Sequence, residues 1–286
     1  MTWTLNKRGP MNWPFMTPAE RSEVMHQYPE YSDSDVKSGE WIRDPPPFVE
    51  PTAHETVDEA PQVDAWDSVA SPAAEEIAGP LGPFLIPSSP QNTRDHVLEL
   101  TQQVFAGEYF HPELPKDIED IVDVGSGWGA FAVWAKAKWP EASLECYEPH
   151  DAAADLCEAN VAPFATLHRV AVTSEPKPLF AAAWDWGSAR LNQDGKPVAA
   201  LHPENLPPCD LLKLDCEGSE ADILAAYAGS TEEDENLLAG CRAVLVEWHS
   251  PELKLRCDAI LKAKTKLRCV QAAPVERGYG VSIWTR

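Results

Sequence analysis

The residues best placed to do chemistry fall in three short runs, each at the end of an apolar stretch. The first is Asp123-Val124-Gly125-Ser126-Gly127-Trp128-Gly129. Its glycines permit positive φ and close approach of a ligand to the backbone. The spacing G-x-G-x-G differs from the G-x-G-x-x-G of dinucleotide-binding turns, where the helix dipole faces a pyrophosphate. Asp123 suits instead a ligand carrying an ammonium group. The second run is Tyr147-Glu148-Pro149, where Glu148 stands at the position from which a carboxylate accepts hydrogen bonds from a ribose diol. The plain alternatives are a structural turn and a surface acid. Taken together, the two runs describe an amino-acid-bearing nucleoside without a pyrophosphate, which is S-adenosylmethionine. The third run places Lys213, Asp215, Glu217 and Glu220 within Leu211-Leu212-Lys213-Leu214-Asp215-Cys216-Glu217-Gly218-Ser219-Glu220. Lys213 lies inside an apolar strand, so it needs a partner, either one of these acids or Glu247. A structural ion pair is its first reading, ahead of direct catalysis. Glu220 reads equally as a first-turn acid favoured by the helix dipole, with Ser219 as the cap.

These runs need elements to hold them. The pattern predicts a helix over Arg94–Ala106, a strand over Ile118–Val124, and a helix at 128–138 ended by Pro140. It continues with a strand at Ser143–Glu148, a helix at Asp151–Asn160 and strands at Leu167–Thr173 and Asp210–Cys216. A helix from Ser219, a strand at Ala243–Trp248, a further helix, and closing strands at Leu267–Gln271 and Gly280–Thr285 complete the series. Such alternation implies an α/β fold with a doubly wound, mostly parallel sheet, whose ligands sit at the carboxyl ends of the strands.

Composition divides the chain. It has 286 residues, 23 Lys+Arg, 46 Asp+Glu and a formal net charge of −23. Residues 1–93 hold 14 of the 27 prolines and only 15 Leu, Ile, Val or Phe, against 45 in residues 94–286. This predicts an acidic, largely irregular leader over 1–93 and a globular domain over 94–286. Thr17-Pro18-Ala19-Glu20 is a capping-box signal for one short helix within the leader. The negative balance argues against nucleic acid or an anionic membrane as partner. No apolar run is long enough for a spanning helix. The seven cysteines, an odd number without a close C-x-x-C pair, read as buried reduced thiols, so the expected setting is cytoplasmic. No feature sets an oligomeric state.

DVGSGWGAF at 123–131, YEPH at 147–150, VAVTS at 170–174, LLKLDCEGSE at 211–220 and VLVEWH at 244–249 resemble, in order, the FkbM-type class I S-adenosylmethionine-dependent methyltransferases. The resemblance spans roughly 118–250, and K-x-D-x-E-G-x-E from Lys213 to Glu220 is its most specific part. It implies a seven-stranded Rossmann-like sheet and methyl transfer to a hydroxyl oxygen of a sugar or natural product. Carried over by position, Asp123, Gly125, Ser126 and Gly127 hold the methionine part, Glu148 the ribose, and Ala171 with Val172 the adenine edge. Trp128 replaces a smaller residue, either packing under the next helix or covering the sulfonium. Methyl transfer is an in-line displacement governed by positioning, and an alkyl hydroxyl calls for a general base or a metal. Asp215 is placed at the cofactor–acceptor junction with His249 or Glu217 as base; His249 also reads as a satisfied histidine past a strand end. Asp215 and Glu217 form a carboxylate pair, but no second ligand pair is evident and no metal is assigned. The acceptor pocket is expected in residues 175–208, including Trp184, Asp185 and Trp186. Two other classes share parts of this pattern. A nicotinamide-dependent oxidoreductase is disfavoured by the glycine spacing, and a non-catalytic binding module by the intact polar positions.

Overall fold

The computed structural model describes residues 73–174, 179–182, 190–192, 196–229 and 236–286. The expected capping-box helix, most of the leader, and Trp184, Asp185 and Trp186 lie outside them. The described chain opens with an antiparallel hairpin, β1 (Ala74–Gly79) and β2 (Gly82–Pro87), followed by α1 (Gln91–Phe105). Next come β3 (Asp120–Val124), α2 (Ala130–Lys138), β4 (Ser143–Tyr147), α3 (Asp151–Val161), β5 (Thr166–His168) and β6 (Ala171–Val172). Strands β7 (Leu179–Ala182), β8 (Arg190–Asn192) and β9 (Lys196–Val198) form a small antiparallel sheet, and β10 (Ala200–Leu201) pairs with β6. The chain returns through β11 (Leu211–Leu214), α4 (Glu220–Tyr227), β12 (Ala243–Trp248), α5 (Pro251–Lys264), β13 (Arg268–Ala272) and β14 (Gly280–Thr285).

Seven strands form one sheet in the order β13-β14-β12-β11-β3-β4-β5. All pairs from β12 to β5 are parallel, and β14 runs antiparallel to both β12 and β13. This is the doubly wound, mostly parallel sheet that the alternating pattern implied. DIVDV, LLKL and AVLVEW are almost unbroken apolar runs because both faces are covered. Ile121, Leu211 and Leu245 pack on Val97, Phe131 and Leu156 from α1, α2 and α3. Val122, Leu212 and Val244 face Ile223, Leu224 and Leu261 from α4 and α5. Winding reverses between β3 and β11, so the strand ends splay there and leave a crevice. No helix among the described residues is long and apolar enough to cross a membrane.

Two local expectations change. The leader was expected to run to residue 93, yet β2 buries Phe84 and Ile86 in the same core as α1. Asn160 of α3 clamps the hairpin through both backbone groups of Leu85, at 2.8 and 2.9 Å. The local cluster Ile77, Phe84, Leu85 and Ile86 was hidden in the average composition of a proline-rich segment. The single strand expected at Leu167–Thr173 is two: β5 stays in the main sheet, while β6 departs to pair with β10.

Candidate active site

Register explains how the polar residues meet. Asp123 pairs with Lys213 across β3 and β11, and Lys213 with Leu245 across β11 and β12. Partners in register share a face, as do residues two apart along a strand. Asp123, Lys213 and Glu247 are therefore brought to the face that α1 and α2 cover, and Asp215 and His249 follow just past the strand ends. The register is thereby an instruction written in an alternation of two.

Lys213 is the hub. Its side chain is 3% exposed, and its Nζ lies 3.1 Å from Asp123 Oδ1 and 3.4 Å from Asp215 Oδ2. It also donates to the Gly125 carbonyl at 2.7 Å. Burial alone would push the ammonium pKa down, but the Asp123 and Asp215 carboxylates overcome this and hold it above its ordinary value. Asp123 is fully buried; burial pushes its carboxyl up while Lys213 pulls it down. Its carboxylate has no aligned hydrogen bond, only the ion pair. So the ammonium that Asp123 was expected to meet on a ligand is supplied by Lys213, and the acid stands behind the cavity wall. Lys213 is thus the structural partner that its position in an apolar strand required.

The cavity in front of this pair measures about 600 Å³. Gly125, Ser126, Gly127, Glu148, Ala171 and Val172 line one side, and Lys213, Asp215, Glu217 and His249 the other. At Gly125, φ is +75°, and a Cβ would stand 1.7 Å from the Asp215 carbonyl oxygen. At Gly127, φ is +53°, and a Cβ would meet nothing within 4 Å. The first glycine is forced by close packing of two strand ends; the second leaves open space beside the cavity. Glu148 is 7% exposed. Its two oxygens accept from the backbone N–H groups of Gly127 and His150, both at 2.8 Å. Burial pushes Glu148 up to about 7, against those two donors, which favour the ionised form. Trp128 donates its indole N–H to Thr101 of α1 at 2.7 Å and is 8% exposed, which is the packing role.

On the other side the loop after β11 is under tension. Glu217 has φ +56°, the left-handed region that a non-glycine residue enters at a cost of about 1–3 kcal/mol. Glu220 holds the turn: its carboxylate accepts from the N–H groups of Cys216 and Gly218. Ser219 makes no side-chain cap bond, so Glu220 rather than Ser219 satisfies this helix start. His249 sits among three carboxylates, with Nε2 3.6 Å from Asp215 and 3.5 Å from Glu217, and Nδ1 3.3 Å from Glu220. Burial opposes its charge, but Glu220, Asp215 and Glu217 carry its pKa up to about 9.

Some cavity residues escaped the sequence reading. Tyr109, in the turn after α1, donates its hydroxyl to Glu247 at 2.7 Å. Burial and then the Asp215 charge push Glu247 up to about 8, against that hydroxyl. Glu108 also lines the cavity, its carboxyl raised by burial and by Asp215. Glu247 had been named only as a partner for Lys213. The signal that could have found Tyr109 and Glu108 is the Gly107-Glu108-Tyr109 helix stop, a polar break where an amphipathic helix ends.

Residues 143–268 match the family model described as the Methyltransferase FkbM domain. The match takes in Glu148, Lys213, Asp215, Glu217 and His249, and starts after the glycine turn. No curated relative matches in sequence. Among solved structures, methyltransferase FkbM from Methylobacillus flagellatus KT is 15% identical, with a TM-score of 0.42. That likeness covers 62% of this chain and 46% of the other. A precorrin-6y C5,15-methyltransferase from Geobacter metallireducens GS-15 is 11% identical over 68% of this chain and 89% of its own, with a TM-score of 0.36. A putative methyltransferase from Pseudomonas syringae is 15% identical over 68% and 100%, with a TM-score of 0.38.

Proposed function

We propose that this chain, whose residues 143–268 match the family model described as the Methyltransferase FkbM domain, transfers a methyl group from S-adenosylmethionine to a hydroxyl oxygen of a small-molecule or glycan acceptor. One observation carries the reading: a buried carboxylate beside an open glycine turn, and a charged cluster opposite, share a single cavity. The residues fit the cofactor. Glu148 retains lone pairs for a ribose diol, Gly127 leaves room beside the backbone, and Ala171 and Val172 offer a small apolar edge to a base. The bound cofactor supplies an electrophilic methyl on a sulfonium.

The chain's own part is to bind, orient and take a proton. Lys213 fixes Asp123, the Gly125 carbonyl and Asp215 relative to one another, so the two sides of the cavity are tied through one ammonium. As the acceptor oxygen bonds the methyl carbon and the carbon–sulfur bond breaks, the hydroxyl proton must leave. With no ion present, and against burial, Glu220, Asp215 and Glu217 hold His249 toward its protonated form, so a carboxylate is the better proton acceptor. The proton acceptor is therefore Glu217, with Asp215 holding the hydroxyl. The free state of all seven cysteines supports a reducing, cytoplasmic setting.

Calorimetric titration with S-adenosylmethionine tests the reading. One site per chain is expected, strongly weakened by Glu148→Ala, whereas NADH should not bind. Absence of a cofactor site, or an affinity untouched by that substitution, would remove the assignment. Asp215→Asn should abolish transfer while leaving cofactor affinity nearly unchanged.

A further inference from the structure

We propose that Asp215, Glu247 and His249 form a binding site for one divalent metal ion of the Mn²⁺ or Zn²⁺ kind. Each offers a ligand atom, and the three atoms lie within 4.8 Å of one another. They arise from neighbouring parallel strands: β11 ends at Leu214 beside Val246 of β12, so Asp215 and Glu247 are next in register, and His249 follows two positions on. All three line the cavity.

The spacing within the cluster points to an ion between the side chains. His249 Nε2 and Asp215 Oδ1 are 3.6 Å apart, too far for a hydrogen bond. Two ligands at about 2.0–2.2 Å from a common ion in tetrahedral array stand about 3.4 Å apart, which is close to that separation. His249 Nδ1 is buried, and Glu220 lies 3.3 Å away. Glu220 thus orients the ring through Nδ1, as an outer partner orients a ligand, and leaves Nε2 turned toward Asp215 and Glu217.

The local charges agree. Glu108, Asp215, Glu217 and Glu247 all line the cavity. The facing cation, Lys213, is shared among Asp123, the Gly125 carbonyl and Asp215 Oδ2, so one ammonium stands against several acids. Tyr109 meanwhile pins Glu247 through Oε2, which fixes the carboxylate's orientation as an outer partner fixes a ligand. A mixed set of two carboxylates and one imidazole suits Mn²⁺, Fe²⁺ or Zn²⁺ better than Mg²⁺ or Ca²⁺, which favour oxygen alone. Resting on the methyl-transfer reading, the ion's role is to take the acceptor hydroxyl as a further ligand and make its proton easier to lose to Glu217.

The test uses the full chain stripped with a chelator and then dialysed. Electron paramagnetic resonance of added Mn²⁺ should show one bound ion per chain without cofactor or acceptor present. Asp215→Asn and Glu247→Gln should each weaken it by at least the roughly 10–100-fold that loss of an outer partner produces. Glu217→Gln should leave Mn²⁺ affinity nearly unchanged, and near-ultraviolet circular dichroism confirms that each variant is folded. His249→Asn provides a third ligand variant should either acid prove needed for folding. Neither Mn²⁺ nor Zn²⁺ binding at millimolar concentration, or affinity unmoved in every folded ligand variant, overturns the site. S-adenosylmethionine binding by the same stripped protein separates the two proposals: cofactor binding without metal removes only the ion, and metal binding without cofactor keeps the site while removing the methyl-transfer reading.

Discussion

On the β3–β4 side of the cavity the lining holds one carboxylate, Glu148, whose oxygens are already engaged by the Gly127 and His150 N–H groups, with Ser126 and His150 beside it. On the β11–β12 side there are three carboxylates, Asp215, Glu217 and Glu247, an imidazole and a buried ammonium, held at ion-pair distances. The first side is a finished surface that recognises shape. The second stores electrostatic repulsion, and a ligand bringing positive charge or taking a proton relieves it. Low dielectric strengthens both attraction and repulsion there, so substitutions should act differently on the two sides.

The largest effect is expected where the two sides touch. Gly125→Ala would drive a Cβ into the Asp215 carbonyl, and backbone cannot yield as a side-chain tip can. A loss above about 4 kcal/mol of stability is expected, in the range that single substitutions rarely reach. Cofactor binding should vanish with it. Urea unfolding followed by tryptophan fluorescence measures the loss; near-normal stability would mean the strand ends are not in contact.

Next comes the charge hub. Lys213→Met leaves Asp123 buried and uncompensated, which should cost about 3–5 kcal/mol. The double variant with Asp123→Asn should recover much of that loss, because the stranded charge goes too. A double variant as unstable as Lys213→Met alone would show that Asp123 is not its partner.

Legibility in the sequence follows the same division. Gly125 and Gly127 lie within one turn and Glu148 at the next strand end, so their placement beside the cavity follows from short-range pattern. The apolar runs of β3, β11 and β12 likewise announced a buried parallel sheet. The charged side depends on register between strands far apart in the chain, so Glu247 beside Asp215 could be named only as a neighbour. The helix stop could have marked Tyr109 but not its pairing, because nothing near residue 109 encodes Glu247, 138 residues away. Asp123 depends on register in the same way: its ion-pair partner is Lys213 across the sheet. The hairpin was missed through averaging, since four apolar residues do not move the composition of ninety.

A smaller effect separates the outer wall from the hub. Tyr109→Phe removes the donor to Glu247 and should cost about 0.5–1.5 kcal/mol, the worth of an ordinary hydrogen bond. The hydroxyl also favours the ionised carboxylate, so its loss should move Glu247 above its present value of about 8. Carbon-13 carboxyl resonances across a pH titration report that shift; an unmoved Glu247 would mean that the hydroxyl does not set its ionisation.

The smallest effect lies on the finished side and concerns pH. Glu148 is carried from its ordinary 4.5 up to about 7 by burial. Between those values the folded chain holds a proton that the unfolded chain has lost, so this group makes stability fall as pH rises from about 4.5 to 7. A ribose diol donates to the ionised form, so cofactor binding draws the proton off and should gain affinity over the same rise, levelling above about 7. At pH 6 only about a tenth of Glu148 is ionised, so affinity there should be about tenfold weaker than its plateau. Glu148→Gln should bind weakly but without that slope. Calorimetry at several pH values, in buffers of different protonation enthalpy, reads the proton release directly. A flat profile in the unsubstituted chain would mean that Glu148 meets its ligand without changing charge, making this side a surface of shape alone.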